Sequence, residues 1–279
     1  MITFVKQIAC QLEAAYPKDE ANALAWWIVE EETGLSRSQI LTGCKITKNF
    51  AHVQDIIERL LHFEPIQYIF GHTQWCGLDL KVTPATLIPR PETAELVEEI
   101  EKMANDQMAN VLDIGTGSGC IAIALKKRHP EWQVTGFDIS AEAIEVAKEN
   151  AERNGVEVAF EVADIFDSIG ENGKWQMTNG KYDAVVSNPP YICEQEKADM
   201  RRNVLEFEPA SALFVPDDDP LMFYRRIAEL RLGTHLFFEI NEAHGDEMVA
   251  LLKDLGYTDV RLIQDMYGKA RIIEARMVG

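Results

Sequence analysis

The sequence predicts an α/β fold, in which a mostly parallel sheet with helices on both faces follows a helical bundle and a hairpin linker. From about residue 93, short apolar runs typical of buried strands alternate with helical segments. Before about residue 70, apolar residues recur at helical spacing. The 279 residues also exceed the usual length of one domain, about 150 residues. We therefore expect a partner-binding helical bundle in 1–72, a hairpin linker in 73–90 and the sheet domain in 91–279.

The bundle is predicted to contain four helices. Phe4, Ile8 and Leu12 lie on one face of the first, and the second ends at a glycine. Ser36 is a suitable N-cap for a short third helix, and Thr47 for a fourth. We find no catalytic constellation in this part of the sequence.

The linker and the sheet domain follow in order. Residues 75–82 form two short apolar runs around a turn, which predicts a hairpin. The strand-like segments of the sheet domain are 110–114, 133–138, 157–162, 182–187, 234–240, 258–265 and 270–276. The helical segments are 93–104, 120–128, 141–154, 220–230 and 244–255.

Composition narrows the class of function. The net charge of −19 argues against a large basic surface for nucleic acid and fits a basic protein partner. The cysteines and histidines show no Cys-x-x-Cys or His-Glu-x-x-His spacing, so we expect no metal site. We also expect no membrane association and a cytoplasmic location, since the sequence has no apolar run long enough to span a bilayer and no signal-peptide pattern.

A glycine-rich loop follows the strand at 110–114, and an acid, Asp113, precedes it. The loop is Gly115-Thr116-Gly117-Ser118-Gly119. Its glycines tolerate positive φ and let the backbone approach a ligand closely. A dinucleotide-binding Rossmann domain is the competing interpretation, but its fingerprint is Gly-x-Gly-x-x-Gly. An acid at Asp113 would repel a pyrophosphate, whereas it can orient the ammonium group of an amino-acid moiety.

Two further acids end the next two predicted strands. Asp138 can accept hydrogen bonds from both ribose hydroxyls of a nucleoside. Asp164 can accept from the exocyclic amine of adenine, with Ile165 or Phe166 packing on the ring. A nucleoside with an amino-acid tail describes S-adenosylmethionine, so we predict this cofactor, with S-adenosylhomocysteine as product.

The fourth strand of the sheet domain ends in a stiff polar elbow, Asn188-Pro189-Pro190-Tyr191. The prolines end the strand because they cannot donate to a sheet. The Asn188 side-chain carbonyl and the freed backbone carbonyls can accept from a planar NH₂ group, and the Tyr191 ring can stack on its face. Taken alone, the elbow could be only a turn. The glycine loop upstream favours the catalytic interpretation.

Together these motifs resemble the amino-methyltransferases that use S-adenosylmethionine, and most closely the bacterial release factor glutamine methyltransferases. The segment from Gly71-His72 through Pro89-Arg90-Pro91-Glu92-Thr93 and the helical N-terminal region carry the closer resemblance. It implies a class I, Rossmann-like methyltransferase sheet. It also implies methylation of the side-chain amide nitrogen of the glutamine in the Gly-Gly-Gln loop of peptide chain release factors, which act in translation termination.

Carried over by position, the glycine loop, Asp138 and Asp164 would hold the cofactor. Asn188 and the Pro189 carbonyl would hold the glutamine amide, with Tyr191 beside it. The segment 239–242 lacks the glycine that the family commonly has there, so we assign it no substrate role.

Two other functions remain open at this point. The same elbow suits an adenine-N6 methyltransferase acting on DNA or RNA, but such an enzyme would need base flipping and a basic track. The chain could also be a non-catalytic module that binds S-adenosylmethionine and acts as a scaffold on a release factor or the ribosome. Methyl transfer, and the acceptor that receives it, would distinguish the three.

Overall fold

The computed structural model describes residues 1–43, 50–103, 109–167 and 182–277. Its helices are α1 Ile2–Leu12, α2 Lys18–Thr33, α3 Arg37–Leu41, α4 Val53–Leu61, α5 Ile66–Phe70, α6 Thr93–Met103, α7 Cys120–Arg128, α8 Ala141–Asn154, α9 Arg202–Phe207, α10 Met222–Leu230 and α11 Gly245–Asp254. Its strands are β1 His72–Trp75, β2 Leu78–Lys81, β3 Asn110–Ile114, β4 Gln133–Asp138, β5 Ala159–Val162, β6 Tyr182–Ser187, β7 Ile192–Cys193, β8 Phe214–Val215, β9 Gly233–Glu239, β10 Tyr257–Gln264 and β11 Ala270–Met277.

The chain forms two compact units, one comprising residues 1–70 with 201–207 and the other 71–200 with 208–279. This division assigns the hairpin to the second unit and a short later segment, α9, to the first. The domain division predicted from the sequence, into 1–72, 73–90 and 91–279, differs from these units and remains our proposal. No helix among the described residues is long and apolar enough to cross a membrane.

The first unit is helical, as predicted. Ser36 caps α3 in a reciprocal capping box with Gln39, which confirms the predicted cap. The helix α4 begins at Val53, and Thr47, the cap expected for it, lies outside the described residues. The inner faces of α1, α2 and α4 form the core of this unit, with Leu12, Ile28 and Ile57 fully buried.

The helix α9 was not predicted from the sequence, and it packs within the first unit. The Arg202 guanidinium lies over the Phe63 ring, 4.5 Å from its centroid, and Arg201 forms an ion pair with Glu20 at 3.5 Å. Each of these pairs joins residues far apart in the chain, so no local pattern indicates them.

In the second unit, β1 and β2 form the predicted hairpin around a two-residue turn, Cys76-Gly77, and the hairpin begins three residues before the predicted range of 75–82. Both turn residues have positive φ, which matches the twist of a tight hairpin. The main sheet has seven strands in the order β10-β11-β9-β6-β3-β4-β5. The strands from β9 to β5 pair in parallel, and β11 and β10 pair antiparallel at one edge.

Helices cover both faces of this sheet, because successive apolar strand residues point to opposite sides. Val111 and Phe237 pack under α6, α7 and α8, whereas Leu112 and Phe238 pack under α10 and α11. The predicted α/β fold is confirmed.

The chain runs from β3 outward to β4 and β5, and then returns to place β6 on the other side of β3. The two strands pair in parallel with Ile114 beside Ser187. Open α/β sheets bind ligands at such a switch point, beyond the carboxyl ends of the strands. The glycine loop and the elbow, which leave these two strands, therefore begin side by side.

Candidate active site

A cavity of about 370 Å³ opens at this switch point, a volume in the range of small-molecule sites. The loops after β3, β4, β5 and β6 line it, together with segments 85–93 and 211–214. The predicted site residues that line it are Gly115, Thr116, Gly117, Ser118, Asp138, Asp164, Ile165, Phe166, Asn188, Pro189 and Pro190. Asp113, Gly119 and Tyr191 were also predicted but are not among the lining residues.

The glycine loop turns sharply under the cavity. Gly115, Gly117 and Gly119 all have positive φ, between 55° and 79°. The backbone N–H groups of Gly115 and Thr116 both donate to the Phe137 carbonyl at 2.8 Å. A Cβ at Gly119 would lie about 3.0 Å from the Ile123 side chain, so both the backbone and the packing require glycine there. Gly119 thus shapes the loop without lining the cavity.

Asp113 lies fully buried beneath this loop. Its carboxylate accepts a hydrogen bond from the Thr116 hydroxyl at 2.6 Å. Burial raises the pKa of Asp113 to about 7. The side chain is not among the residues that line the cavity, and its contact with a ligand ammonium stays a prediction. Its observed contact instead supports the loop backbone through Thr116.

Asp138 ends β4 and lines the cavity. One carboxylate oxygen accepts from the Gly117 N–H at 2.8 Å, and the other accepts from the Ser140 N–H at 2.9 Å. Ser140 in turn caps α8 through the Ala143 N–H. Burial raises the pKa of Asp138. The carboxylate is therefore fixed between the glycine loop and the start of α8, where the hydroxyls of a sugar can reach it.

The loop after β5 provides an apolar wall. Asp164 accepts from the Phe166 N–H at 2.8 Å, which folds the loop back on itself. The Arg226 side chain donates to the Ile165 carbonyl at 2.8 Å and holds the loop from behind. Phe166 on this loop is 44% exposed, and Ile139 on the loop after β4 is 63% exposed, although both are large and apolar. Exposed apolar side chains at a cavity rim suit a flat ring such as adenine.

The elbow leaves β6 beside the glycine loop. The Ser187 hydroxyl donates to the Ile114 carbonyl at 2.6 Å and joins the two strand ends. Asn188 is half-buried at the cavity, and its amide nitrogen donates to the Thr93 hydroxyl oxygen at 3.4 Å. Pro189 is buried and also lines the cavity.

Tyr191 turns away from the cavity. Its hydroxyl donates to a carboxylate oxygen of Glu239 at 3.2 Å, and its ring packs on the core between the sheet and α10 and α11. Burial raises the pKa of this hydroxyl well above its ordinary range. In this arrangement Tyr191 supports the elbow from behind, and the stacking of its ring on an acceptor stays a prediction.

Two residues that line the cavity, Thr93 and Arg90, had no role assigned from the sequence. Thr93 lines the cavity at the start of α6, and its hydroxyl donates to Glu239 at 2.7 Å. Arg90 also lines the cavity and pairs with the buried Glu208 at 2.6 Å. Each of the two residues pairs with a carboxylate that lies more than 100 positions away in the chain, so no local sequence pattern indicates the pairing.

Comparison with known proteins places the chain in a family. The Methyltransferase small domain model matches residues 92–211, and the PrmC N-terminal domain model matches residues 4–71. A release factor glutamine methyltransferase of Bacteroides thetaiotaomicron is 46% identical over 276 residues, which cover 95% of each chain. The chain belongs to the release factor glutamine methyltransferase family. It is therefore an enzyme, and the resemblance predicted from its motifs is confirmed.

Other members of the release factor glutamine methyltransferase family support the same placement. The protein of Lactococcus lactis is 34% identical over 282 residues, covering 99% of each chain. Among solved structures, the hMettl16 catalytic domain in complex with the MAT2A 3'UTR hairpin 1 aligns with a TM-score of 0.58 at 16% identity. That alignment covers 97% of this chain and 91% of the other, and at this identity it supports the fold alone.

Proposed function

We propose that this enzyme transfers a methyl group from S-adenosylmethionine to the side-chain amide nitrogen of the glutamine in the Gly-Gly-Gln motif of peptide chain release factors. The observation that carries the proposal is the position of Asn188 and Pro189. They line one cavity with the glycine loop and Asp138, so a cofactor and an amide acceptor can meet there. The membership of the family, whose named members are release factor glutamine methyltransferases, supports the choice of acceptor.

The residues on one side of the cavity fit S-adenosylmethionine. Asp138 suits the ribose hydroxyls, and the exposed rings and chains of Phe166 and Ile139 suit the adenine face. The loop backbone at Gly115 and Gly117 leaves room for the amino-acid tail, since neither residue carries a side chain. When bound, the cofactor would supply an electrophilic methyl group on a sulfonium.

The elbow provides acceptors for an amide NH₂ group. An amide nitrogen is a poor nucleophile because its lone pair is delocalised into the carbonyl. The carbonyl oxygen of the Asn188 side chain and the backbone carbonyl of Pro189 can accept its two hydrogens. Such acceptors stabilise the positive charge that develops on the nitrogen as the new N–C bond forms. Fixing the nitrogen in line with the methyl group supplies a further part of the acceleration.

Among the described residues that line the cavity, none is suited to act as a general base on this nitrogen. The titratable ones are Arg90, Cys120, Asp138 and Asp164. Burial raises the pKa of the Cys120 thiol to about 12, so the thiol stays protonated, and an arginine cannot accept a proton. The two acids lie on the loops that we assign to the cofactor. We therefore propose that the amide proton leaves to water after methyl transfer.

Charge supports a protein acceptor over a nucleic acid. The net charge of −19 would repel a phosphate backbone, whereas it would attract a basic protein surface. The residue range 1–72 is our proposed partner-binding domain. Since release factors act on ribosomes, we propose that the enzyme works in the cytoplasm. The scaffold interpretation does not fit a member of a methyltransferase family.

The test is turnover of Asn188→Ala on a purified release factor, measured beside cofactor binding by calorimetry. We expect turnover to fall by about 100-fold or more, as when a preorganised group is removed from a developing charge. Affinity for S-adenosylmethionine should stay within about threefold, because the cofactor contacts are on other loops. Near-normal turnover of this variant would refute the assignment of Asn188.

A further inference from the structure

A buried carboxylate lies behind the elbow, outside the cavity. Glu239, at the end of β9, is only 1% exposed and is not among the cavity-lining residues. Its two oxygens accept from different hydroxyls, one from Thr93 at 2.7 Å and one from Tyr191 at 3.2 Å. The Tyr224 hydroxyl also donates to the Glu239 backbone carbonyl at 2.9 Å. Glu239 is therefore held in place by three hydroxyl groups.

Thr93 connects this carboxylate to the elbow. A hydroxyl has one proton to donate, and a carboxylate can only accept. The Thr93 proton is therefore committed to Glu239, and the Thr93 oxygen can only accept a hydrogen bond from its other partner, Asn188. The direction of the Thr93 hydroxyl is fixed by a residue that lies 146 positions away in the chain.

The direction of the Thr93 hydroxyl fixes the amide of Asn188. An asparagine amide has nearly the same shape in its two flipped orientations, and hydrogen bonds decide between them. With Thr93 able only to accept, the NH₂ group of Asn188 must face Thr93, at 3.4 Å. The flipped orientation would set the amide oxygen against a Thr93 lone pair with no proton between them. The carbonyl oxygen of Asn188 is thereby left for another donor.

We propose that Thr93 and Glu239 are positioning residues that hold the Asn188 carbonyl oxygen towards the N–H of the methyl acceptor. The proposal rests on the proposed function, since it gives Asn188 an amide substrate to bind. Neither residue transfers a proton or contacts the reacting atoms in this role. Without them, Asn188 would sample both amide orientations, and the flipped one presents a donor to the acceptor's own N–H.

Substitutions at Thr93 separate its hydroxyl from its shape. Thr93→Val keeps the shape and removes the hydroxyl, so we expect kcat on a release factor to fall by about 10-fold or more. Affinity for S-adenosylmethionine should be unchanged within about twofold. Thr93→Ser keeps the hydroxyl and should retain kcat within about threefold. If Thr93→Val does not fold, Thr93→Ala compared with Thr93→Ser makes the same comparison. The matched control is Thr73→Val, a buried threonine on β1, which should turn over normally.

A double-mutant cycle distinguishes positioning from mere structural support. If Thr93 acts through Asn188, then Thr93→Val should cause no further loss of kcat in an Asn188→Ala background. Glu239→Gln replaces a carboxylate oxygen with an NH₂ group that cannot accept from the neighbouring hydroxyls, so it should lower kcat by about threefold or more. In a Thr93→Val background the same substitution should have no further effect on kcat. Additive losses in either cycle, or full kcat for Thr93→Val, would overturn the positioning role while leaving the proposed function intact. Full kcat for Asn188→Ala would overturn both.

Discussion

The carboxylate of Asp138 offers a test of the cofactor side of the cavity. In the wild type, the two carboxylate oxygens of Asp138 accept from the backbone N–H groups of Gly117 and Ser140, at 2.8 and 2.9 Å. In Asp138→Asn the side chain keeps only one acceptor oxygen for these two N–H groups. One of them must face an NH₂ group instead. A hydrogen bond to a charged group is worth about 1.5–3 kcal/mol, so we expect a loss of stability of that order.

The same substitution should weaken cofactor binding, because the ribose hydroxyls lose a charged acceptor. At about 1.4 kcal/mol for each factor of ten, losing one such bond corresponds to an increase of about 10- to 100-fold in the Kd for S-adenosylmethionine. Isothermal titration calorimetry on the folded variant measures this Kd directly, and urea denaturation measures its stability.

Asp183→Asn is the matched control for this experiment. The Asp183 carboxylate also accepts from two backbone N–H groups, of Ala109 and Asn110, each at 2.8 Å. Asp183 is the second residue of β6, near the amino end of the strand, whereas the cavity lies at the carboxyl end, so its substitution should leave the Kd unchanged within about twofold. Wild-type affinity in Asp138→Asn, or an equal loss of affinity in Asp183→Asn, would refute the assignment of Asp138 to the ribose.

Three further predictions concern the stability of the site. Burial raises the pKa of Asp113 from 3.8 to about 7, so the folded wild-type protein loses stability as pH rises through that range. The free energy of unfolding of Asp113→Asn, relative to that of the wild type, should therefore increase by about 2–3 kcal/mol between pH 5 and pH 8, as measured by urea denaturation. Gly119→Ala should lower the melting temperature more than Gly115→Ala, because both residues have positive φ but only the Cβ at 119 would meet neighbours, at 3.0–3.1 Å. Arg90→Met should destabilise the protein by about 3 kcal/mol by leaving the buried Glu208 uncompensated, and adding Glu208→Gln should restore part of that loss; equal stability of the single and double variants would contradict this.

Local sequence signals predicted most of the sheet domain. The bounds of α7, α8 and β6 agree with the predictions, because glycines, a serine cap and prolines mark those ends. The cavity position of Asp138 and Asn188 followed from the rule that parallel strands bring their carboxyl ends to one edge. The element ends and the position of these two residues were both predicted from local sequence patterns that correspond directly to a structural feature.

The parts that the sequence did not reveal depend on contacts between distant residues. Nothing local indicates that Tyr191 turns back to Glu239, since the prolines fix only the backbone. The burial of Asp113 beneath the loop likewise depends on how the sheet packs under α7. The pairing of Thr93 with Glu239 joins α6 to β9 across the sheet edge. For these residues the chemistry was visible in the sequence, but the partner was not.

The most direct test of the central claim is methyl transfer from labelled S-adenosylmethionine to a purified release factor. The same reaction should be run on a release factor whose Gly-Gly-Gln glutamine has been replaced, and on duplex DNA. We predict label on the native factor alone. Label on DNA, or equal label on the factor without that glutamine, would contradict the assignment of the acceptor.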